Sequence, residues 1–279
     1  MENTFSLSRF GRYFKYDFKR WVSTYGLSLL LISAAPLILY TVTLVYSLLF
    51  SQEWNTPGEN SRIIVAWLVS AVLVLTCTSS AYGYVTDKRA GSAFVMIPAS
   101  VFEKCLSMIL NVVVVIPLAF IFIYLSLDGV ICLIDGTCGG TLFSVLWEGL
   151  KDLVMLPFAG DAPLRISLLS LYLNQASWIL FFLLGAVMFK KHKILYPILI
   201  IVGVQMLLGM LLGAVVTAGI LNLDSFSTWI EYITGRYLLN PDFIDWAVPA
   251  YNFMAAAFGI LVFLALAGAV YYRLKTIKH

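Results

Sequence analysis

The sequence predicts an all-α membrane protein: six transmembrane helices, both termini cytoplasmic, and an N-terminal interfacial amphipathic helix. Three observations predict this. First, of 279 residues 61% are hydrophobic and only 12% charged, against about 25% charged in a soluble domain. Second, the segments 25–50, 63–85, 105–127, 166–189, 194–220 and 248–272 contain no Asp, Glu, Lys or Arg. Each meets the ~20 residues needed to cross a bilayer as a helix. Third, alternating these six from a cytoplasmic N-terminus places 14 of the 18 basic residues inside. Only Arg62, Lys151, Arg165 and Arg236 fall outside. This is the positive-inside asymmetry of membrane proteins, and a five- or seven-span layout breaks it at "KKHK" or at the basic tail.

The layout is therefore an N-terminal cytoplasmic segment 1–24, a membrane domain 25–272 and a tail 273–279. Residues 86–104 form a cytoplasmic loop, and 51–62, 128–165 and 221–247 form extracytoplasmic loops. In the first segment Leu7, Phe10, Phe14, Phe18, Trp21 and Tyr25 recur at steps of three and four, which gathers them on one helical face. Arg9, Arg12, Lys15, Lys19 and Arg20 fill much of the rest. Such a helix suits the headgroup layer, with membrane lipid as its partner; an ordinary basic juxtamembrane tail is the alternative.

In the second outer loop, Leu142, Leu146, Leu150 and Leu153 share a face opposite Glu148, Lys151 and Asp152, which predicts a short surface helix. Cys132 and Cys138 in the same loop are either a disulfide or two free thiols. In the third outer loop, Phe226, Trp229, Ile230 and Ile233 have helical spacing, and Pro241 ends the run. In span five, Gly209 and Gly213 stand four apart. Small residues at that spacing let helices approach closely, either in a homodimer or within the chain.

Several function classes lack their residues. No G-x-x-x-x-G-K-[S/T] is present, and the glycine-rich "DGTCGGT" has no lysine, so no nucleotide is expected on this chain. There is no H-E-x-x-H or G-x-S-x-G, and His192 and His279 stand alone. No metal, catalytic residue, bound cofactor or nucleic-acid partner is expected. The six spans carry no acid or base for an ion relay, so energy for any transport would come from another subunit.

The loop 86–104 is more structured than a connector requires. Asp87, Lys88 and Arg89 mark the end of span two, and Ala90 and Gly91 allow a bend. "SAFVMI" makes about 9 Å of helix, and Pro98 breaks it. Ser100 and Glu103 then fit the S-x-x-E capping box that starts a new helix into span three. The expectation is a docking element for a cytosolic partner, rigidly joined to spans two and three; an interfacial turn without a partner is the alternative.

"IPASVFEK" resembles the L-P-A-S-x-x-E-K segment of the permease subunits of ABC-2-type ABC transporters. Pro98, Ala99, Ser100, Glu103 and Lys104 match, and Ile97 stands where the family has Leu. The six-span layout and the basic N-terminal helix are also similar. The resemblance implies a permease subunit of an ATP-driven exporter in a bacterial inner membrane, with two permease copies, identical or related. It also implies a separate cytosolic ATP-binding subunit that holds ATP–Mg and docks on Asp87, Lys88, Arg89, Gly91, Pro98, Ser100, Glu103 and Lys104. The N-terminal helix, with Arg9, Phe10, Arg12, Phe14, Phe18 and Trp21, would support that contact. A membrane scaffold or sensor subunit holding a non-ATPase partner on the same loop is the second reading. The substrate is not legible.

Overall fold

The computed structural model describes residues 5–50, 57–135, 140–151, 167–217 and 241–277. Among the described residues the protein is helical, without a strand. Five apolar helical stretches are long enough to cross a membrane: Leu7–Leu49, Glu59–Thr86, Val101–Ile134, Leu168–Met188 and Pro249–Thr276. A sixth, Leu195–Leu211, is apolar but shorter within the described residues. The exposed large apolar side chains along them, such as Leu44, Leu118, Leu207 and Leu261, fit a hydrocarbon surround and not water.

Helix α1 (Leu7–Ser33) runs without a break, so no change of element separates the predicted amphipathic segment 1–24 from the first span. Nothing between residues 22 and 27 forces a stop, since a lone Gly26 is tolerated in a helix. The stop comes at Ala34. Pro36 lacks the N–H that would continue the ladder, and α2 (Ala35–Leu49) restarts with that proline in its first turn.

Helix α3 (Glu59–Tyr82) tightens into a 3₁₀ turn at Gly83–Thr86. A short helix, α4 (Lys88–Met96), follows, then α5 (Val101–Leu110). The chain widens into a π turn at Asn111–Val115 and continues as α6 (Ile116–Ile134). Pro117 explains this break, because it cannot serve the carbonyl of Val113, four residues earlier. The hydroxyl of Tyr172 donates to that carbonyl at 3.3 Å instead, as satisfaction within a membrane requires.

The outer helix predicted in the second loop is present as α7 (Leu142–Lys151). Only part of its expected apolar face packs: Leu142 is buried, whereas Leu146 is exposed beside the stacked rings of Phe143 and Trp147. The last three helices are α8 (Leu168–Met188), α9 (Leu195–Thr217) and α10 (Pro241–Thr276). Pro241, expected only to end the preceding run, opens α10. Its fixed φ and missing N–H suit a first helical position. The run at 226–233 lies outside the described residues.

Helix α8 is central. Helices α10 and α3 pack along it, and Leu180, Leu183, Ala186 and Val187 have no exposure. Helix α9 leans on α8 where Pro197 sits directly against Gly185. The basic segments meet at one end of the bundle. There Arg9 reaches Glu103, Lys193 reaches Asp87, and Tyr271 packs on Phe102.

Candidate functional site

The basic end is organised around α4. Asp87 is extended at φ −82°, ψ 140°, and it opens the helix. Gly91 is buried inside α4, with its N–H bonded to the Asp87 carbonyl. The bends therefore come at Asp87 and Ile97 and not at Ala90–Gly91 as expected. Nine residues are helical, because Lys88 to Gly91 join "SAFVMI" in one ladder. The side chain of Lys88 lies outside the described residues. Pro98 is exposed in the turn that follows, and Arg89 is exposed on α4.

The capping box is formed. The Glu103 amide donates to the Ser100 hydroxyl at 3.2 Å, and the Ser100 amide donates to the Glu103 carboxylate at 2.9 Å. Glu103 does more than the sequence implies. Its carboxylate has no exposure, and it accepts from both Nε and Nη2 of Arg9 at 2.8 Å and from the Ser6 amide at 3.0 Å. Two motifs read separately in the sequence, the basic helix and the capping box, thus close on one carboxylate. Charge-assisted bonds of this forked geometry are the stronger kind.

Lys104 is buried and turns back on α4. Its ammonium donates to the carbonyls of Phe94 at 2.8 Å and Val95 at 3.3 Å and lies over the Phe94 ring. A cation at a helix C-terminus satisfies orphan carbonyls and complements the dipole. On the other side of Phe94, the ring of Tyr84 meets it edge-on, and Arg20 stacks over Tyr84 at 3.5 Å. Lys193, from "KKHK", donates to the Gly83 carbonyl and pairs with Asp87 at 3.0 Å. Helix α4 is thereby bonded to α5, tied at Asp87 to the loop before α9, and linked to α1 through Tyr84. Its Phe94 side is buried, whereas Val95, Met96 and neighbouring Phe102 remain exposed.

The predicted aromatic face of α1 divides. Trp21 and Tyr25 are buried, while Leu7 and Phe18 are exposed and Phe10 and Phe14 are half-buried; Arg12 is exposed. The buried stripe is Tyr13, Asp17, Trp21, Tyr25, Leu29 and Ser33, one residue every four. Asp17 is the residue that sequence reasoning missed. It lies on that stripe and accepts hydrogen bonds from Tyr82, Ser107 and Asn111. The spans read as uncharged thus receive an acid from the part of α1 ahead of residue 25. Its place four residues from both Tyr13 and Trp21 was the available signal.

A second buried network, at the opposite end, was also missed. Arg62 pairs with Asp128 at 3.6 Å, both nearly unexposed, and donates to the Gly140 carbonyl at 2.9 Å. Asp128 in turn accepts the Leu142 amide and so holds the start of α7. Arg62 also reaches the sulfur of Cys132. Cys132 is disulfide-bonded; its expected partner, Cys138, lies outside the described residues.

The expected close approach at Gly209 and Gly213 is not seen among the described residues. A Cβ added at either would meet nothing within 4 Å, so no helix packs closely at these glycines among the described residues. No group of three or more His, Cys, Asp or Glu able to hold a metal lies among those residues either. Comparison with protein-family models, curated proteins and solved structures finds no match to the chain.

Proposed function

We propose that this chain is the transmembrane permease subunit of an ATP-driven ABC transporter of the ABC-2 type. In this reading residues 86–104 receive a separate cytosolic ATP-binding subunit. One observation supports it most. Helix α4 presents exposed Val95 and Met96; it is bonded to α5 through Lys104 and to the loop before α9 through the Lys193–Asp87 pair, and α5 is in turn tied to α1 through the Glu103–Arg9 pair. A push on those side chains has no slack segment to absorb it before it reaches the helices of spans one, two and three. A loop that only linked two helices would need none of these ties.

The meeting of Arg9, near the start of the chain, with the loop on which Tyr271 also packs supports an even number of passes, with α9 as the sixth. The basic character of that end then makes it cytoplasmic by the positive-inside rule. The chain has no phosphate-binding loop of its own, so ATP–Mg belongs on the partner. A second permease copy, identical or related, completes the pathway, with export across a bacterial inner membrane as its direction.

The test is affinity purification of the tagged full chain in mild detergent, with mass spectrometry and an ATPase assay of the eluate. The expected result is a P-loop ATPase that is lost from a Val95→Glu, Met96→Glu variant that still inserts. An eluate without a P-loop ATPase, or one whose ATPase ignores that variant, rejects the reading. Recovery of a non-ATPase regulator would replace it with the scaffold reading.

A further inference from the structure

Asp17 lies in α1, yet its bonds are with two other helices. One carboxylate oxygen, Oδ2, accepts from the Tyr82 hydroxyl at 2.8 Å, the Ser107 hydroxyl at 2.6 Å and the Asn111 amide at 3.0 Å. Asn111 also donates to the Tyr82 hydroxyl at 3.0 Å. All four residues are buried. A single oxygen therefore joins α1, the end of α3 and the end of α5. Buried charges persist where such bonds are complete, and removing one partner is costly.

The position of the cluster along span three carries the argument. Helix α5 is fastened to α1 at Glu103 and again at Ser107 and Asn111. The two fastenings are about 6–12 Å apart at 1.5 Å per residue. Asn111 is also the first residue of the π turn Asn111–Val115. Across and beyond that turn, span three keeps contact with α1 and gains further fastenings. The Val113 carbonyl takes Tyr172 of α8, and Asp128 of α6 takes Arg62 of α3. Between the fastenings at Glu103 to Asn111 and the one at Asp128 stand a π turn and Pro117, the local features at which helices bend.

We infer that Asp17 is a positioning residue that clamps α1 to the inner half of span three, so that both move with α4 as one body hinged at Asn111–Val115. The clamp stands on the geometry above; the hinge's use in ATP-driven motion rests on the permease reading.

Pulsed electron-spin distance measurements test both parts on the full chain. Labels at Lys19 and Phe102, both exposed, report α1 against the inner half of span three; labels at Lys19 and Ile121 report across the hinge. Cys77 and Cys105 are buried and stay unlabelled. The inner pair should give one narrow distance, lost to a broad distribution in Asp17→Asn. It should return in the exchange variant Asp17→Asn, Asn111→Asp, which restores a carboxylate facing an amide. An unchanged distribution in Asp17→Asn, or no recovery in the exchange variant, overturns the clamp. Should Asp17→Asn fail to accumulate, Tyr82→Phe removes one donor and should broaden the same pair; no change there overturns it equally. In the assembled complex, ATP should shift the Lys19–Ile121 distance and leave Lys19–Phe102 fixed. A shift in the inner pair, or none in the outer, overturns the hinge. A wild-type preparation without an ATPase rejects the permease reading instead, and the variant series still decides the clamp.

Discussion

The Arg9–Glu103 pair should be worth far more than a surface ion pair, and the structure lets that be sized. An exposed pair contributes about 0.2–1 kcal/mol, whereas a hydrogen bond to a charged group contributes about 1.5–3 kcal/mol. Glu103 has no direct water contact, and its carboxylate takes Arg9 through two nitrogens. One feature lowers the figure: Arg9 keeps 28% of its side-chain surface in solvent. We therefore expect a coupling energy near ~2 kcal/mol between Arg9→Ala and Glu103→Ala. The Ser100–Glu103 cap should show a separate ~1 kcal/mol. Because a helical bundle in detergent need not unfold in two states, the assay should be local. Amide exchange across residues 7–16 reports detachment of the start of α1. Loss of the pair should raise the opening equilibrium by about thirtyfold, the factor that corresponds to ~2 kcal/mol. The double variant should be little worse than either single one. Additive single variants, with coupling under ~0.5 kcal/mol, would show an ordinary solvated pair and refute the reasoning.

Two further outcomes follow from the packing. Arg62→Ala leaves Asp128 buried without its cation and should cost about 3–5 kcal/mol, read as a fall in the temperature of detergent-solubilised aggregation. The apolar double replacement Arg62→Met, Asp128→Leu removes the unpaired charge but also the bonds to Gly140 and Leu142, so it should recover part of that fall; a double variant as weak as the single would refute the pairing. Gly185→Ala drives a methyl into the Pro197 ring and should cost about 1–3 kcal/mol through overpacking. Gly203→Ala meets nothing within 4 Å and should be neutral or slightly stabilising; equal losses at both glycines would contradict the α8–α9 contact.

Much of the candidate site was legible because it is local. The S-x-x-E spacing at Ser100–Glu103 specifies bonds within one helical turn, and these bonds are made. The breaks beside Pro36 and Pro117 were not read from the sequence, and only the structure shows the stop at Ala34 and the π turn at Asn111. The bend assigned to Ala90–Gly91 failed for a local reason as well. A single glycine lowers helix stability but does not end a helix when Asp87 can start the ladder ahead of it. The partners of Glu103 and Asp17 were not legible at all. Arg9 stands 94 positions from Glu103, and Asp17 stands 65 from Tyr82. No periodicity carries information across such a separation.

The sequence alone determined that this is a helical membrane protein, because composition decides whether a chain can cover itself for water, and uncharged runs decide what can cross hydrocarbon. It also determined which end is basic and that a helix starts at the Ser100–Glu103 cap. Only the tertiary structure decided which charges are buried, and against what. Asp17 reads as one acid on a basic face until Tyr82, Ser107 and Asn111 surround it. Arg62 and Asp128 read as loop charges until they meet. Burial and pairing depend on which helices become neighbours, and that is set by packing the whole bundle, not by any one segment of it.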